Sequence, residues 1–158
     1  MTPTERIKEF LLNTADFSID SNEIEFLKHD NFETEQVHYR DESAEKSVGG
    51  NEEGWQEEWV AIATDPVSDI IFVDTSAPEL PVLLFQQRET YGSIFPIADS
   101  LDSFKNIIVL LEKHSIRANS IDHDTDPVTE EGYDLLLSQL EAQHPNSKIW
   151  FEKAFDVV

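Results

Sequence analysis

Three apolar runs follow one another in the middle of the chain, and they restrict the fold more than any other feature. They cover Glu57 to Thr64, Asp69 to Asp74 and Pro81 to Gln87, and turn-forming residues separate them. The second and third runs are apolar at consecutive positions, so as strands they need cover on both faces. The connections are too short for a parallel crossover, so we expect antiparallel pairing.

Amphipathic helices are predicted on either side of this region. Thr2 to Glu5 has the pattern of a capping box with proline in the first turn. In the last third, Ser100 can cap a helix from Leu101 to about His114, and Asp126 can start another. We also expect a short final helix within Lys148 to Val158. Apolar residues recur at helical spacing in these segments: Ile7, Phe10 and Leu11; Leu101, Phe104, Ile107, Ile108 and Leu111; Tyr133, Leu136, Leu137 and Leu140; Phe151, Ala154, Phe155 and Val158.

The segments before the apolar runs are less uniform. Ala15 to Phe32 begins with strand-like alternation, but its second half fits a short helix and an edge strand equally well. Glu35 to Arg40 has Val37 and Tyr39 in alternation, which predicts a strand. The polar stretch from Asp41 to Gly54 carries three glycines and predicts a loop between two strands.

Together these segments predict one α+β domain spanning residues 1–158. We expect a central antiparallel sheet of about four to six strands, with helices at the N-terminus and in the C-terminal third. A chain of 158 residues fits a single domain of ordinary size. Asn119 to Asp126 is the best candidate for a hinge.

The charge balance is strongly acidic, with 33 Asp and Glu against 11 Lys and Arg and a formal net charge of −22. The acids are spread along the whole chain, and three Trp and ten Phe are available for a core. This combination predicts an acidic surface on a folded body rather than an acidic tail. Such a surface repels nucleic acid and anionic membranes and attracts cationic proteins. The simpler alternative is that the acids serve only solubility.

The chain has no cysteine, which excludes disulfides, thiolate metal sites and a cysteine nucleophile. This composition fits a reducing cytoplasm, where we expect the protein to reside. Met1 to Asn13 lacks the apolar core of a signal peptide. No apolar run approaches the roughly 20 residues of a membrane span.

No motif predicts catalysis or a metal site. Asp122, Asp124 and Asp126 have the spacing of the first EF-hand ligands, but Pro127 replaces the required glycine and Tyr133 the bidentate glutamate. The five histidines lack the spacing of a zinc-binding helix. No nucleophile elbow, Walker loop or dinucleotide-binding glycine pattern occurs. We therefore expect no enzyme activity, no cofactor and no metal.

Two tryptophans lie among acidic residues around the start of the first apolar run. Trp55 and Trp59 are four positions apart, so on one strand they would share a face. A place in the core is the commoner reading for such a pair. The alternative is an exposed anchor at a binding surface, where tryptophan is enriched.

Four pieces of sequence occur in a fixed order between Gly54 and about Leu111. They are the tryptophan strand from Trp59 to Ala63, the strand from Asp69 to Asp74, the Pro81-Val82 strand start, and the helix start from Ile97 to Phe104. In this order they resemble the SUKH superfamily, which includes bacterial toxin-immunity proteins and a fungal cell-wall-synthesis regulator.

The resemblance implies the α+β fold described above and a non-enzymatic role. That role is to bind and neutralise a toxin delivered by another cell. The resemblance supplies no shared catalytic residues, and its motif residues have structural roles: Trp59, Asp69, Asp74, Pro81, Ser100 and Phe104.

These observations lead to the hypothesis of an immunity protein that docks an acidic face onto a cationic toxin domain, such as a nuclease. We predict the contact acids to be Asp41, Glu42, Glu45, Glu52 and Glu53. Two alternatives stay open. One is a regulatory or scaffolding module without any toxin, and the other is a small hydrolase that uses carboxylates.

Overall fold

The computed structural model describes residues 1–19, 22–43, 47–48, 55–87, 91–118 and 130–155. Within these ranges the chain forms five α-helices, seven strands and one short 3-10 turn, η1 (His29–Asn31). The helices are α1 (Pro3–Leu12), α2 (Phe32–Ser43), α3 (Leu101–Ala118), α4 (Glu130–Gln143) and α5 (Pro145–Ala154). The strands are β1 (Phe17–Ile19), β2 (Asn22–Phe26), β3 (Ser47–Val48), β4 (Trp59–Thr64), β5 (Ile70–Asp74), β6 (Val82–Gln87) and β7 (Tyr91–Ala98).

The strands form one sheet in the order β1-β2-β4-β5-β6-β7-β3. Six of them pair antiparallel, and the two-residue β3 pairs in parallel with the start of β7. The predicted α+β fold with a central antiparallel sheet is therefore confirmed. The three apolar runs of the sequence are the adjacent strands β4, β5 and β6.

The central strands are covered on both faces, as their apolar pattern requires. Ile71 and Val73 of β5 join a large core with residues from α1, α3, α4 and α5. Their neighbours Ile70 and Phe72 join a second cluster on the opposite face. This division follows from the two-residue period of a strand. A register shift in β4 between Ala61 and Ala63 interrupts the alternation there.

The first helix begins as its sequence predicts. The Thr2 hydroxyl accepts a hydrogen bond from the backbone N–H of Glu5, and the Glu5 carboxylate accepts one from the backbone N–H of Thr2, both at 3.1 Å. This reciprocal arrangement is a capping box, and it satisfies two N–H groups at the start of the helix. The apolar stripe of Ile7, Phe10 and Leu11 is buried, so α1 packs its predicted face into the core.

The C-terminal helices follow the predicted stripes with shifted boundaries. α3 continues to Ala118, four residues beyond the predicted end, and α5 begins at Pro145, three residues before the predicted start. The described part of α4 starts at Glu130. Most of the predicted stripe residues are buried: Leu101, Phe104, Ile107, Ile108, Leu111, Leu136, Leu140, Phe151, Ala154 and Phe155.

Residues 35–40 belong to helix α2, so the strand predicted for Glu35 to Arg40 is wrong. Val37, which the alternation assigned to a buried face, is 54% exposed. The helix instead places Phe32, Gln36 and Tyr39 along one side, at positions i, i+4 and i+7. Phe32 is buried in the large core, and Tyr39 packs against both clusters. Tertiary contacts of this one side therefore override the local alternation.

Gln36 completes the hydrogen bonding of β4 where β2 stops. The last bond from the β2 side is the backbone N–H of Leu27 donating to the carbonyl of Ile62 at 2.9 Å. At Ala61, the Gln36 amide donates to the backbone carbonyl at 2.7 Å and accepts from the backbone N–H at 2.8 Å. The side chain thus replaces a neighbouring strand, and α2 covers this part of the sheet edge.

The structure resolves one segment that the sequence left open and adds a strand that was not predicted. The ambiguous region from Ala15 to Phe32 contains the hairpin β1–β2 and the turn η1. Strand β7 was not predicted, and it begins at Tyr91, within the turn-forming stretch from Arg88 to Ser93 that follows the third apolar run. It contains Pro96, which is tolerated because β3 pairs only with Tyr91 and Gly92, so that β7 has no described strand on its outer side at Pro96.

The loop predicted from Asp41 to Gly54 is shorter than expected. Asp41 to Ser43 continue α2, and Ser47–Val48 form β3. The other positions of that loop, and the hinge predicted at 119–126, lie outside the described residues.

Candidate interaction surface and carboxylate cavity

Five acidic residues lie at one end of the sheet, and we call this group the acidic end. Its members are Glu57, Glu58, Asp74, Glu79 and Asp99. The pairings of Trp59 with Asp74 and of Val82 with Ala98 bring these positions to the same end, because β4 and β6 start where β5 and β7 finish. Segments 55–60, 74–82 and 96–100 contain no Lys or Arg. The local charge is therefore strongly negative.

Hydrogen bonds fix the backbone of the acidic end. The backbone N–H and the hydroxyl of Thr75 both donate to the carbonyl of Glu58, at 2.9 and 2.7 Å. The Asp74 carboxylate accepts from the N–H and the hydroxyl of Ser76, at 2.9 and 2.6 Å. Asp74 therefore stabilises the turn, while the carboxylates of Glu57, Glu58 and Glu79 are exposed.

Asp99 is held by the cap of α5. Nε2 of His144 lies 3.1 Å from the Asp99 carboxylate, and Nδ1 of the same ring accepts from the backbone N–H of Asn146 at 3.1 Å. Because Nδ1 is an acceptor, the ring proton sits on Nε2 and can be donated to Asp99 without a charge on the histidine. The Asp99 side chain is 87% exposed, so it still presents negative charge to solvent.

Trp55 and Trp59 are core residues beneath this end. Their ring centroids lie 5.4 Å apart, and the Trp55 ring lies 5.2 Å from Phe72 and 5.5 Å from Phe85. Trp55 precedes β4 rather than lying in it, and both tryptophans are buried. The interpretation of the pair as an exposed anchor is wrong, because both rings are buried by packing against Phe72 and Phe85 of the sheet.

The predicted contact acids are not placed by the structure. Asp41 and Glu42 have helical backbone at the end of α2, but their side chains lie outside the described residues, as do Glu45, Glu52 and Glu53 entirely. Their role stays a prediction. Of the 20 acids whose side chains are described, 14 are exposed, so the acidic surface extends well beyond that loop.

The motif residues of the resemblance occupy packing and capping positions. Phe104 is fully buried in the large core, and Trp59 lies in the second cluster. The Ser100 hydroxyl accepts from the N–H of Ser103 at 3.0 Å and so caps α3. The Pro81 carbonyl accepts from the N–H of Asp74 at 3.0 Å. The sixth motif residue, Asp69, lies in the turn described next.

A cavity of about 380 Å³ opens at the other end of the sheet. It lies between the β4–β5 turn, strands β6 and β7, and helix α5. Its polar lining consists of Asp65, Asp69, Gln86 and Lys153, and its apolar lining of Val67, Leu84, Phe95, Trp150 and Ala154. A volume near the lower end of known ligand pockets, roughly 300–1,000 Å³, suits one side chain or a small molecule.

Asp65 is buried in the wall of this cavity, with 4% of its surface exposed. One carboxylate oxygen accepts from the backbone N–H groups of Val67 and Asp69, at 3.1 and 2.9 Å. The other accepts from the indole N–H of Trp150 at 3.2 Å. The first pair closes the β4–β5 turn, in which Ser68 has a positive φ of 68°. The indole bond ties that turn to α5.

The pKa of Asp65 is raised from 3.8 to about 6, chiefly by burial and to a smaller extent by the nearby Asp69 carboxylate. The three N–H donors act in the opposite direction, because they stabilise the charged form. Desolvation is the largest of these effects. The group therefore retains an ionised carboxylate near neutral pH at an energetic cost.

Asp65 and Pro66 are among the turn-forming residues that separate the first two apolar runs, and the sequence predicted only a turn there. An aspartate that directly follows a strand can accept a hydrogen bond from the backbone N–H two residues later. This pattern is a recognisable signal of an Asx turn. Its second partner, Trp150, is 85 positions away, and no local pattern indicates that contact. The sequence therefore could reveal the turn but not the cavity.

No cluster of three or more metal-ligating side chains occurs among the residues that the structure describes. Within the same part of the chain, no helix is both long and apolar enough to cross a bilayer.

Comparison with known proteins identifies the family. The family model described as SMI1 / KNR4 family (SUKH-1) matches residues 5–107, more than half of the chain. The chain belongs to the SMI1 / KNR4 (SUKH-1) family. No curated protein and no solved structure gave a significant match. The resemblance drawn from the sequence motifs is thus confirmed at the level of the family.

The family match divides the structure in an informative way. It runs from α1 through the sheet and into α3, and it includes the acidic end and Asp65. Helices α4 and α5 lie beyond it. Since Trp150 and Lys153 belong to α5, the cavity is built jointly by the family region and by the C-terminal helices that follow it.

Proposed function

We propose that the protein is a non-enzymatic immunity protein that neutralises a cationic protein toxin by binding it directly. Family membership supports a role in binding, because SUKH proteins are generally non-catalytic. The acidic end carries the proposal, since it offers exposed carboxylates on a backbone fixed by the sheet. A toxin that acts on nucleic acid has the cationic cleft that such a surface complements.

The mechanism is occlusion assisted by electrostatic steering. A net charge of −22 accelerates the approach of a cationic partner and orients it, and this effect weakens with ionic strength. Among the described residues, the acids that form an ion pair with a lysine are Asp16, Glu33 and Glu141. The exposed carboxylates of Glu57, Glu58 and Glu79 make no ion pair with a described Lys or Arg and can contact the Lys and Arg of a partner.

The partner is to be sought as the product of the gene next to this one. Co-expression followed by affinity purification of the tagged chain should recover a stoichiometric complex with that product. Toxicity of the neighbouring product alone, and its suppression by this chain, would establish immunity. A stable complex with a harmless partner would instead support a regulatory or scaffolding module.

Charge reversal then locates the contact. Glu57→Lys, Glu58→Lys and Glu79→Lys together should slow association by roughly ten- to a hundredfold at low salt and flatten its salt dependence. The matched control reverses Glu23, Glu25 and Asp134, which are also exposed but lie away from the acidic end. Equal effects of the two triple variants would mean that only net charge matters and that the acidic end is not the contact.

A further inference from the structure

Helix α5 begins at a cap formed by a histidine. Its first residue is Pro145, which has no backbone N–H, so the first N–H group of the helix belongs to Asn146. The described acceptor of that group is Nδ1 of His144, at 3.1 Å. The next N–H group, from Ser147, donates to the backbone carbonyl of His144 at 3.0 Å. The imidazole therefore has the role that a serine or aspartate side chain usually has at the start of a helix.

Both nitrogens of this ring are engaged. Nε2 donates to the Asp99 carboxylate at 3.1 Å, while Nδ1 accepts from the N–H of Asn146. The side chain of His144 is only 15% exposed, so water does not readily replace either bond. A neutral ring can donate from one nitrogen and accept at the other, whereas an imidazolium donates from both and accepts at neither. A second proton on the ring is therefore incompatible with the bond to Asn146.

We propose that His144 is a proton-sensitive cap that holds the start of α5 only while its ring is neutral. A proton on Nδ1 would face the N–H of Asn146, and the added positive charge would lie at the N-terminus of the helix, where the helix dipole disfavours it. Histidine side chains in general gain their charge between pH 5 and 8. Mild acidification is thus the signal to which the cap responds.

The charged groups around the ring determine the sign of this response. Asp99, in the connection between β7 and α3, attracts an imidazolium, but its side chain is 87% exposed and water screens the attraction. Glu141 on α4 and Lys148 on α5 pair with each other at 3.4 Å, so their effects on the ring oppose one another. Loss of the cap and the unfavourable helix dipole therefore outweigh the gain from Asp99.

This inference goes beyond the proposed function, because it concerns the junction of α4 and α5 and holds whichever partner the chain binds. The junction lies outside the residues that the family match covers. The test uses the chain alone, so its failure would leave the proposed binding at the acidic end unaffected. Failure to find a toxin would likewise leave the cap unaffected.

Amide hydrogen exchange of the full chain, measured residue by residue with NMR, tests the cap. After correction for the intrinsic effect of pH on exchange, the protection of the Asn146 amide should fall by roughly three- to tenfold between about pH 7.5 and about pH 5.5. The internal control is Ser103, whose N–H is held by the Ser100 hydroxyl at 3.0 Å, an acceptor that does not titrate in this range. Protection that is constant at Asn146, or that falls equally at Ser103, would overturn the proposal.

Substitution of the cap separates its ring from the other titrating groups. His144→Asn keeps a good cap but has no proton to gain, so its protection at Asn146 should not change between the two pH values. An equal fall in this variant and in the wild type would contradict a role of the ring. Asp65 cannot cause the expected fall, because its contribution to stability increases as the pH decreases. Should His144→Asn fail to fold, the comparison of Asn146 with Ser103 decides alone.

Discussion

The indole N–H of Trp150 donates to the buried carboxylate of Asp65 across 3.2 Å and joins helix α5 to the β4–β5 turn. The bond connects positions 85 residues apart in the chain. It is the only polar contact described between these two side chains, and both of them line the cavity. This hydrogen bond adds a polar contact to the apolar packing of α5, so the state of one carboxylate contributes to the stability of the helix on the sheet.

Replacement of Trp150 by phenylalanine should destabilise the protein by about 2–4 kcal/mol. The variant leaves one oxygen of a buried charged group without its donor and also removes part of a large buried ring. Urea denaturation monitored by circular dichroism measures the loss. A double-mutant cycle with Asp65→Asn separates the two contributions: a coupling energy near zero would show that the hydrogen bond itself does not stabilise the fold.

Asp65 should make stability depend on pH in an unusual direction for a carboxylate. Its pKa in the folded protein is about 6, above the ordinary 3.8, so between these values the folded chain holds a proton that the unfolded chain has lost. Its contribution to stability is fully present below pH ~4 and is lost as pH rises through ~6, by about 3 kcal/mol. Asp69 and Lys153 are the charged groups that line the cavity with it.

Comparison with Asp65→Asn isolates this group from the other acids. The free energy of unfolding of each protein is measured by urea denaturation at several pH values between 4 and 7. The difference between wild type and variant should change steadily across this interval. A difference that is independent of pH would contradict the raised pKa of Asp65.

Gln36 should be required for the sheet edge at Ala61. Gln36→Ala removes both hydrogen bonds to the Ala61 backbone, which should cost about 1–3 kcal/mol and accelerate exchange of the Ala61 amide hydrogen. Gln36→Glu is the matched control, because it preserves the acceptor for the N–H but loses the donor to the carbonyl. Unchanged protection of the Ala61 amide in Gln36→Ala would mean that the side chain does not replace a strand.

The excess of negative charge should make the fold sensitive to salt. With a net charge of −22, repulsion among exposed carboxylates destabilises the compact state at low ionic strength. Raising NaCl from about 10 mM to about 300 mM shortens the screening length from roughly 30 Å to under 10 Å and should raise Tm by several degrees. A Tm that is constant or falls over this range would argue against a repulsive surface.

Local sequence patterns are sufficient to predict some elements of this fold and insufficient for others. Helices α1 and α3 were predicted because their apolar residues recur at helical spacing, and strands β5 and β6 because short continuous apolar runs are bounded by turn residues. Residues 35–40 were predicted wrongly because Val37 and Tyr39 match a strand period by chance. Only the contacts of Phe32, Gln36 and Tyr39 with the sheet select the helix, and those partners are distant in sequence.

The site was predictable to a smaller extent. The acidic composition indicated a cationic partner, and the motif order indicated the family. The predicted contact acids were chosen for their density in one loop, whereas the acidic end gathers residues from three separate segments between Glu57 and Asp99. Strand pairing makes them neighbours, and pairing of strands is a long-range property that local sequence does not reveal.

The amino-acid sequence by itself determined the class of the fold, the negative surface and the family, because these depend on composition, on short periodic patterns and on the order of motifs. Only the tertiary structure decided which acids share one end of the sheet and that Asp65 is buried beneath Trp150. The physical reason is that burial and charge proximity arise from contacts between residues far apart in the chain, and those contacts exist only once the sheet and α5 have packed together.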